Sequence, residues 1–143
     1  MIEPPGPPEP EGQRGDSPVQ AARYWGLSLQ EYYRKADVWP LDPDGEILVI
    51  VMCEEVKAID NLPAILDEVP GIGLVLIGEG DLSQNLGYPR QYDHPAVVEA
   101  MTAIRRICVE HGVACGHPHA DVENARRLVE EGYRWLMAAP ASV

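Results

Sequence analysis

The chain has 143 residues and a formal net charge of −12, a length that accommodates one domain of ordinary size or a piece of a larger one. The acidity leaves no basic stripe to neutralise phosphates, which excludes a nucleic-acid partner. No apolar stretch reaches the about 20 residues that cross a bilayer, and the first residues, Met1-Ile-Glu-Pro-Pro, lack the basic and apolar regions of a signal peptide, so no membrane contact and a cytoplasmic location are expected.

Residues 1–16 hold five of the 14 prolines and three glycines, and they are expected to run irregularly as a separate Pro/Gly-rich segment ahead of one folded unit over 17–143. Ser17-Pro18 then predicts the start of a short helix that ends at Gly26, and Ser28 opens a second. The turn Asp42-Pro-Asp-Gly45 leads into the apolar run 47–53, the pattern of a strand covered on both faces. A helix follows, with Val56, Ile59 and Leu62 on one face; it is expected to stop before Pro63, with a further turn from Ala64 to Val69. Residues 72–77 make another buried strand, and 80–86 a polar turn or short helix. From Pro95 the apolar residues Val97, Met101, Ile104 and Cys108 recur at helical spacing until His111-Gly112. A short strand at 113–116, a helix capped by Asp121 with Val122, Ala125, Leu128 and Val129 on its apolar face, and a strand at 133–137 complete the order. Strands alternating with helices predict a parallel α/β sheet. No glycine-rich phosphate loop follows any strand, so half of an eight-stranded barrel fits better than a small doubly wound sheet.

Two acidic residues stand just past predicted strand ends: Glu54 after the 47–53 run, and Asp81 in Gly78-Glu-Gly-Asp-Leu-Ser83. Groups at the carboxyl ends of parallel strands meet around substrates, and two such carboxylates can share one divalent ion. The residues alone also allow a plainer role, Glu54 as an acid favoured at a helix start and Asp81 as the cap of the following turn. Cys53, Cys108 and Cys115 are odd in number and lack CxxC spacing, which predicts buried free thiols.

Glu54 with Ala58 and Asn61, Pro70-Gly71-Ile72, Gly78-x-x-Asp81-Leu82-Ser83 with Leu86-Gly87, His94-Pro95, Gly116, and Asp121 with Ala125 and Gly132 together resemble the carboxyl-terminal half of the HpcH/HpaI family of metal-dependent pyruvate aldolases. The likeness runs from about Pro4 to Pro140, and its most specific part is the Asp81-Leu82-Ser83 loop with a glutamate 27 positions before it. Pro10-Glu-Gly-Gln-Arg-Gly15 also resembles the loop that precedes the family's fifth barrel strand.

The resemblance implies the second half of a (β/α)8 TIM barrel and a class II aldolase, a carbon-carbon lyase that cleaves or forms 4-hydroxy-2-oxo acids through a pyruvate enolate. Its partners would be pyruvate or another 2-oxo acid and an aldehyde, in a homo-oligomer. Glu54 and Asp81 would hold Mg²⁺, Mn²⁺ or a similar ion such as Co²⁺. Backbone N–H groups around Gly78, Gly80 and Asp81 would hold the pyruvate carboxylate, and Arg14 would either reach it as a guanidinium fork or stand as a solvated loop arginine. The sequence departs from the family pattern at Met52, where many members have glutamine, at Glu55, where threonine or serine is common, and at His117-Pro-His119, which replaces an apolar stretch. His117 and His119 are thus candidates for proton transfer or acceptor binding, or simply residues of a turn around Pro118. The family's histidine base and its 2-oxo-binding arginine lie on the first half of the barrel, so the expectation is a weak catalyst; the alternative is a noncatalytic interaction module that associates through its open strands.

Overall fold

The computed structural model describes residues 18–138; the remaining residues, which include the Pro/Gly-rich segment and Arg14, lie outside the described part. Two short helices come first. α1 (Val19–Trp25) ends at Gly26 in the left-handed conformation. α2 (Leu29–Lys35) is opened by a reciprocal cap, in which the Ser28 hydroxyl accepts from the Glu31 N–H and the Glu31 carboxylate accepts from the Ser28 N–H. β1 (Val38–Trp39) and β2 (Ile47–Leu48) form a small parallel pair.

The main sheet consists of β3 (Ile50–Cys53), β4 (Leu74–Ile77), β5 (Ala114–Ala120) and β6 (Trp135–Ala138), in the order β3-β4-β5-β6 with every pairing parallel. Between them run α3 (Val56–Glu68), α4 (Glu79–Asn85), α5 (Pro95–Glu110) and α6 (Ala125–Glu131). This is the α/β class expected from the sequence. Among the described residues no helix is long and apolar enough to cross a membrane.

Strand alternation divides the sheet into two unlike faces. Cys53, Val75, Ile77 and Cys115 are buried in one cluster with Leu62 of α3, Val97, Met101, Ile104 and Cys108 of α5 and Leu128 of α6. The opposite face is partly open among the described residues: Leu74 is buried on it, but Ile50, Met52, Trp135 and Met137 are exposed, Met52 at 57%. The run at 47–53 is therefore covered on one face and not on both. It is also broken, because Val49 leaves the strand pairing and its carbonyl accepts from the N–H groups of Gly73 and Leu74, at 3.1 and 3.2 Å.

Three other expectations are corrected. α3 passes through Pro63 without stopping. Ile59, Leu62 and Leu66 all pack into the core, and this burial on both sides of the proline holds the two segments on one axis. β5 extends to Ala120, so His117 and His119 lie within a strand, with a register irregularity between His117 and Ala120. α6 starts only at Ala125; Asp121 Oδ1 instead accepts from the N–H groups of Glu123 and Asn124, both at 2.9 Å, which closes a turn. Val122 is 98% exposed in that turn and Val129 is exposed as well, so the apolar face of α6 narrows to Leu128 with a half-buried Ala125. The free, buried state expected of Cys53, Cys108 and Cys115 is found.

The packing identifies Ile104 as a central residue, fully buried where α5 lies on the sheet. Ile104→Ala is expected to lower unfolding stability by about 2–5 kcal/mol, as measured by urea denaturation; a loss below about 1 kcal/mol would show that the site collapses to fill the space.

Candidate functional site

The open face carries the first acidic residue. Glu54 follows β3 and is half-buried, two positions after Met52 and so on the same side of the sheet. Its neighbour across the strand pair is Gly78, where an added Cβ would lie 2.7 Å from both Cβ and Oε2 of Glu54 and 3.1 Å from Met52 Sδ. Only glycine leaves that space to the carboxylate. The Gly78 N–H donates to the Cys53 carbonyl at 3.0 Å, tying the ends of the two strands together.

Gly78 also stands at the start of α4, whose first turn holds the exposed Asp81. One turn further along, Asn85 Oδ1 accepts from the Val56 N–H at 3.0 Å. Residues four apart share a helix face, so the Asp81 face of α4 is the one that meets the loop carrying Glu54. Leu82 and Ser83 anchor this helix and are fully buried. The Ser83 hydroxyl donates to the Gly80 carbonyl at 2.7 Å and accepts from the Arg90 N–H at 3.0 Å.

A second cluster lies at the same end of the sheet but on the helix-covered side. Glu79 follows Val75 and Ile77 in the strand alternation and is 5% exposed. Its carboxylate pairs with His119 Nδ1. His117 Nδ1 accepts from the His119 N–H at 3.2 Å, and the His117 ring stands edge-on to Tyr133 with centroids 5.0 Å apart. The Tyr92 ring lies 5.9 Å from His119. Glu79, His117, His119, Tyr92, Arg127 and Tyr133 line part of a cleft of about 530 Å³ beside α5 and α6. The structure thus brings the two histidines to Glu79, whereas Glu54 sits with Gly78 and Met52 on the other face. The sequence reading gave no role to Glu79 or Asn85, and named Ser83 only as part of the Asp81-Leu82-Ser83 motif. Period-two parity held the signal for Glu79, since counting on from Val75 and Ile77 puts it under the helices.

Burial pushes the His117 imidazole below its ordinary range, against the opposing pull of the Glu79 carboxylate. Burial likewise pushes the Cys53 thiol up to about 11, with Cys108 and Glu54 adding to the effect. Cys115 is raised chiefly by its hydrogen bond with Cys108, and Cys108 is lowered by the same bond. With all three sulfurs buried, none is placed as a nucleophile.

Among the described residues no group of three or more His, Cys, Asp or Glu side chains is arranged to hold a metal. Glu54 and Asp81 offer a different arrangement, two hard oxygen donors at one end of the sheet with a glycine clearing the space beside Glu54. That donor set fits Mg²⁺ or Mn²⁺, which are bound through one or two carboxylates with water and substrate completing the shell.

A family model described as HpcH/HpaI aldolase/citrate lyase matches residues 9–139. The chain belongs to that family. Over 102 residues it is 40% identical to a 2-keto-3-deoxy-L-rhamnonate aldolase of Escherichia coli, an alignment covering 71% of this chain and 34% of that relative. A crystal structure of an HpcH/HpaI aldolase/citrate lyase family protein from Burkholderia cenocepacia superposes with a TM-score of 0.70 at 28% identity, covering 94% of this chain and 49% of the other. The HpcH/HpaI aldolase from Desulfitobacterium hafniense gives the same TM-score, 0.70, with 92% and 48% covered. The chain therefore spans about a third of the curated aldolase and about half of these solved structures.

Two outcomes are expected from this geometry. In Gly78→Ala the new methyl displaces the Glu54 carboxylate, so any Mn²⁺ affinity measured by calorimetry should fall by about 10-fold or more; unchanged affinity would separate Gly78 from metal binding. His117 has a folded pKa below its unfolded value of about 6.5, so the unfolded chain binds the proton more readily. The stability this contributes is present above about pH 6.5 and is lost as pH falls through the folded pKa. His117→Gln should flatten the decline of urea stability between about pH 7.5 and pH 5.5 relative to the unaltered protein, and an equal slope in both would count against the assignment.

Proposed function

We propose that this chain supplies the metal-binding half of a class II aldolase, a carbon-carbon lyase acting on 4-hydroxy-2-oxo acids and releasing or adding pyruvate, within a cytoplasmic oligomer. The observation that carries the proposal is the Glu54 carboxylate held over Gly78 on the open face, with Asp81 in the first turn of the helix that Gly78 begins. Membership of an aldolase/lyase family supports the reaction class.

Glu54 and Asp81 would hold the ion, and Gly80, which has no heavy atom within 4 Å of an added Cβ, leaves the backbone N–H groups of the first turn open to a carboxylate. When bound, the divalent ion would polarise the 2-oxo group and stabilise the negative charge that develops as the carbon-carbon bond breaks. Asn85 and Ser83 hold α4 in place, the first against the Glu54 loop and the second through Gly80. Arg14, outside the described residues, is proposed as a guanidinium partner for the substrate carboxylate. A second reading, a noncatalytic interaction module, is favoured by the exposed apolar face of Ile50, Met52, Trp135 and Met137.

Titration with Mn²⁺ tests the first reading. Glu54→Gln and Asp81→Asn should each weaken binding by more than the about 10- to 100-fold that loss of an outer partner costs, and affinity equal to that of the unaltered chain would remove the metal site. Pyruvate release from a 4-hydroxy-2-oxo acid is expected to stay well below the roughly 1–10³ per second usual for enzymes. Turnover within that range by a light-scattering monomer would overturn the expectation of a weak, associating half.

A further inference from the structure

The turn that bears Asp81 is anchored from behind by Leu82 and Ser83, while its leading residues Gly78 and Gly80 bring no side chain of their own. Glycine stands on either side of Glu79; Gly78 is tied by its N–H to the Cys53 carbonyl, whereas nothing lies within 4 Å of a Cβ added at Gly80, where no side-chain packing fixes the backbone. Glycine also loses more conformational freedom on ordering than any other residue. Against this, the side chain between the two glycines is one of the two buried polar side chains among the described residues, Glu79 and Ser83. A carboxylate buried to this extent needs a partner, and its partner is His119, on a different element.

His119 is itself constrained. It lies in the irregular part of β5, its N–H donates to His117 Nδ1, and its carbonyl lies 3.4 Å from Asn124 Nδ2 at the start of α6. His117 in turn rests on buried Tyr133. The backbone of His119 is therefore held from the strand and from the turn leading into α6, while its half-exposed imidazole reaches Glu79.

We propose that Glu79 and His119 are a positioning pair that clamps the Gly78–Gly80 turn to β5 and so sets the placement of Asp81 for the divalent ion. Neither residue touches the ion: Glu79 and Asp81 are two apart on α4 and project from different faces of it. The clamp acts through the backbone. It assigns the paired histidines of the 117–119 segment a role on the helix-covered side, and it rests on the metal-binding reading of Glu54 and Asp81.

Two readouts on the 143-residue chain separate the clamp from that reading. Hydrogen exchange of the Gly78 and Leu82 amides, which donate to the Cys53 and Gly78 carbonyls, measured without metal, should speed up by about 10-fold or more in His119→Ala and in Glu79→Leu, while amides in the middle of α5 keep their protection. His119→Asn, whose amide nitrogen falls near the position of Nδ1, and Glu79→Gln, which keeps an acceptor, should restore most of the slow exchange. Affinity for Mn²⁺ should follow the same order, with His119→Ala weaker by about 10- to 100-fold and His119→Asn close to the unaltered chain. Unchanged exchange in both disruptive variants overturns the clamp, and so does equal acceleration in the turn and in α5, which would mark general destabilisation. If the turn loosens as expected but Mn²⁺ binds the unaltered chain no better than Asp81→Asn, the metal reading fails and the assignment of Asp81 placement fails with it. Asp81-dependent Mn²⁺ binding that is identical in the unaltered chain and His119→Ala would leave the metal site standing and remove the clamp.

Discussion

β4 is hydrogen-bonded on both sides, to β3 and to β5, and that double pairing fixes the direction in which every later residue of its segment points. Val75 and Ile77 are held under α3 and α5, and the two-residue period then sends Gly78 to the open side and Glu79 under the helices. The chemistry at this end of the sheet divides accordingly: a carboxylate beside a glycine on one face, a carboxylate beside an imidazole on the other. A slip of β4 by one residue would exchange its two sides, turning Val75 and Ile77 toward the open face and Glu79 toward Glu54.

Much of this was legible in the sequence because it depends on strong local signals. The β-branched runs at 47–53 and 72–77 have few alternatives, and the helix from Pro95 keeps its period through five buried residues, Val97, Met101, Ile104, Ile107 and Cys108. Glu54 and Asp81 stood out because each follows such a run. What was not legible depends on tertiary contact. Pro63 carries the local signal of a helix stop, and only the burial of Ile59, Leu62 and Leu66 on both sides of it overrides that signal. The extension of β5 is supplied by pairing with β6 at His117 and Ala120, which no property of His-Pro-His announces. Glu79 was passed over because a charged residue between glycines reads as solvated loop. Asp121 has a cap's chemistry but spends it on a turn that delays α6 by three residues.

The comparisons place the molecule within a family without making it equivalent to a whole member. A superposition covering 94% of this chain and 49% of a solved relative means that nearly everything here has a counterpart, while much of the relative has none in this chain. The exposed Ile50, Met52, Trp135 and Met137 are the physical expression of that difference. They lie on the side of the sheet turned away from α3, α5 and α6.

The buried Ser83 hydroxyl has a bearing on how a small molecule would enter. It joins Gly80 in the first turn of α4 to Arg90 in the following loop, and that loop is held again by the Tyr88 ring stacked on His94 at 3.5 Å. Swinging the loop outward would break a hydrogen bond on an otherwise dry hydroxyl, at about 0.5–1.5 kcal/mol for the bond and more for the buried group left unpaired, and would separate the stacked rings. Segment 86–94 is therefore tied to α4 at Ser83 and to the start of α5 at His94. A ligand that approached Glu54 from the Met52 side of the sheet would leave these contacts untouched.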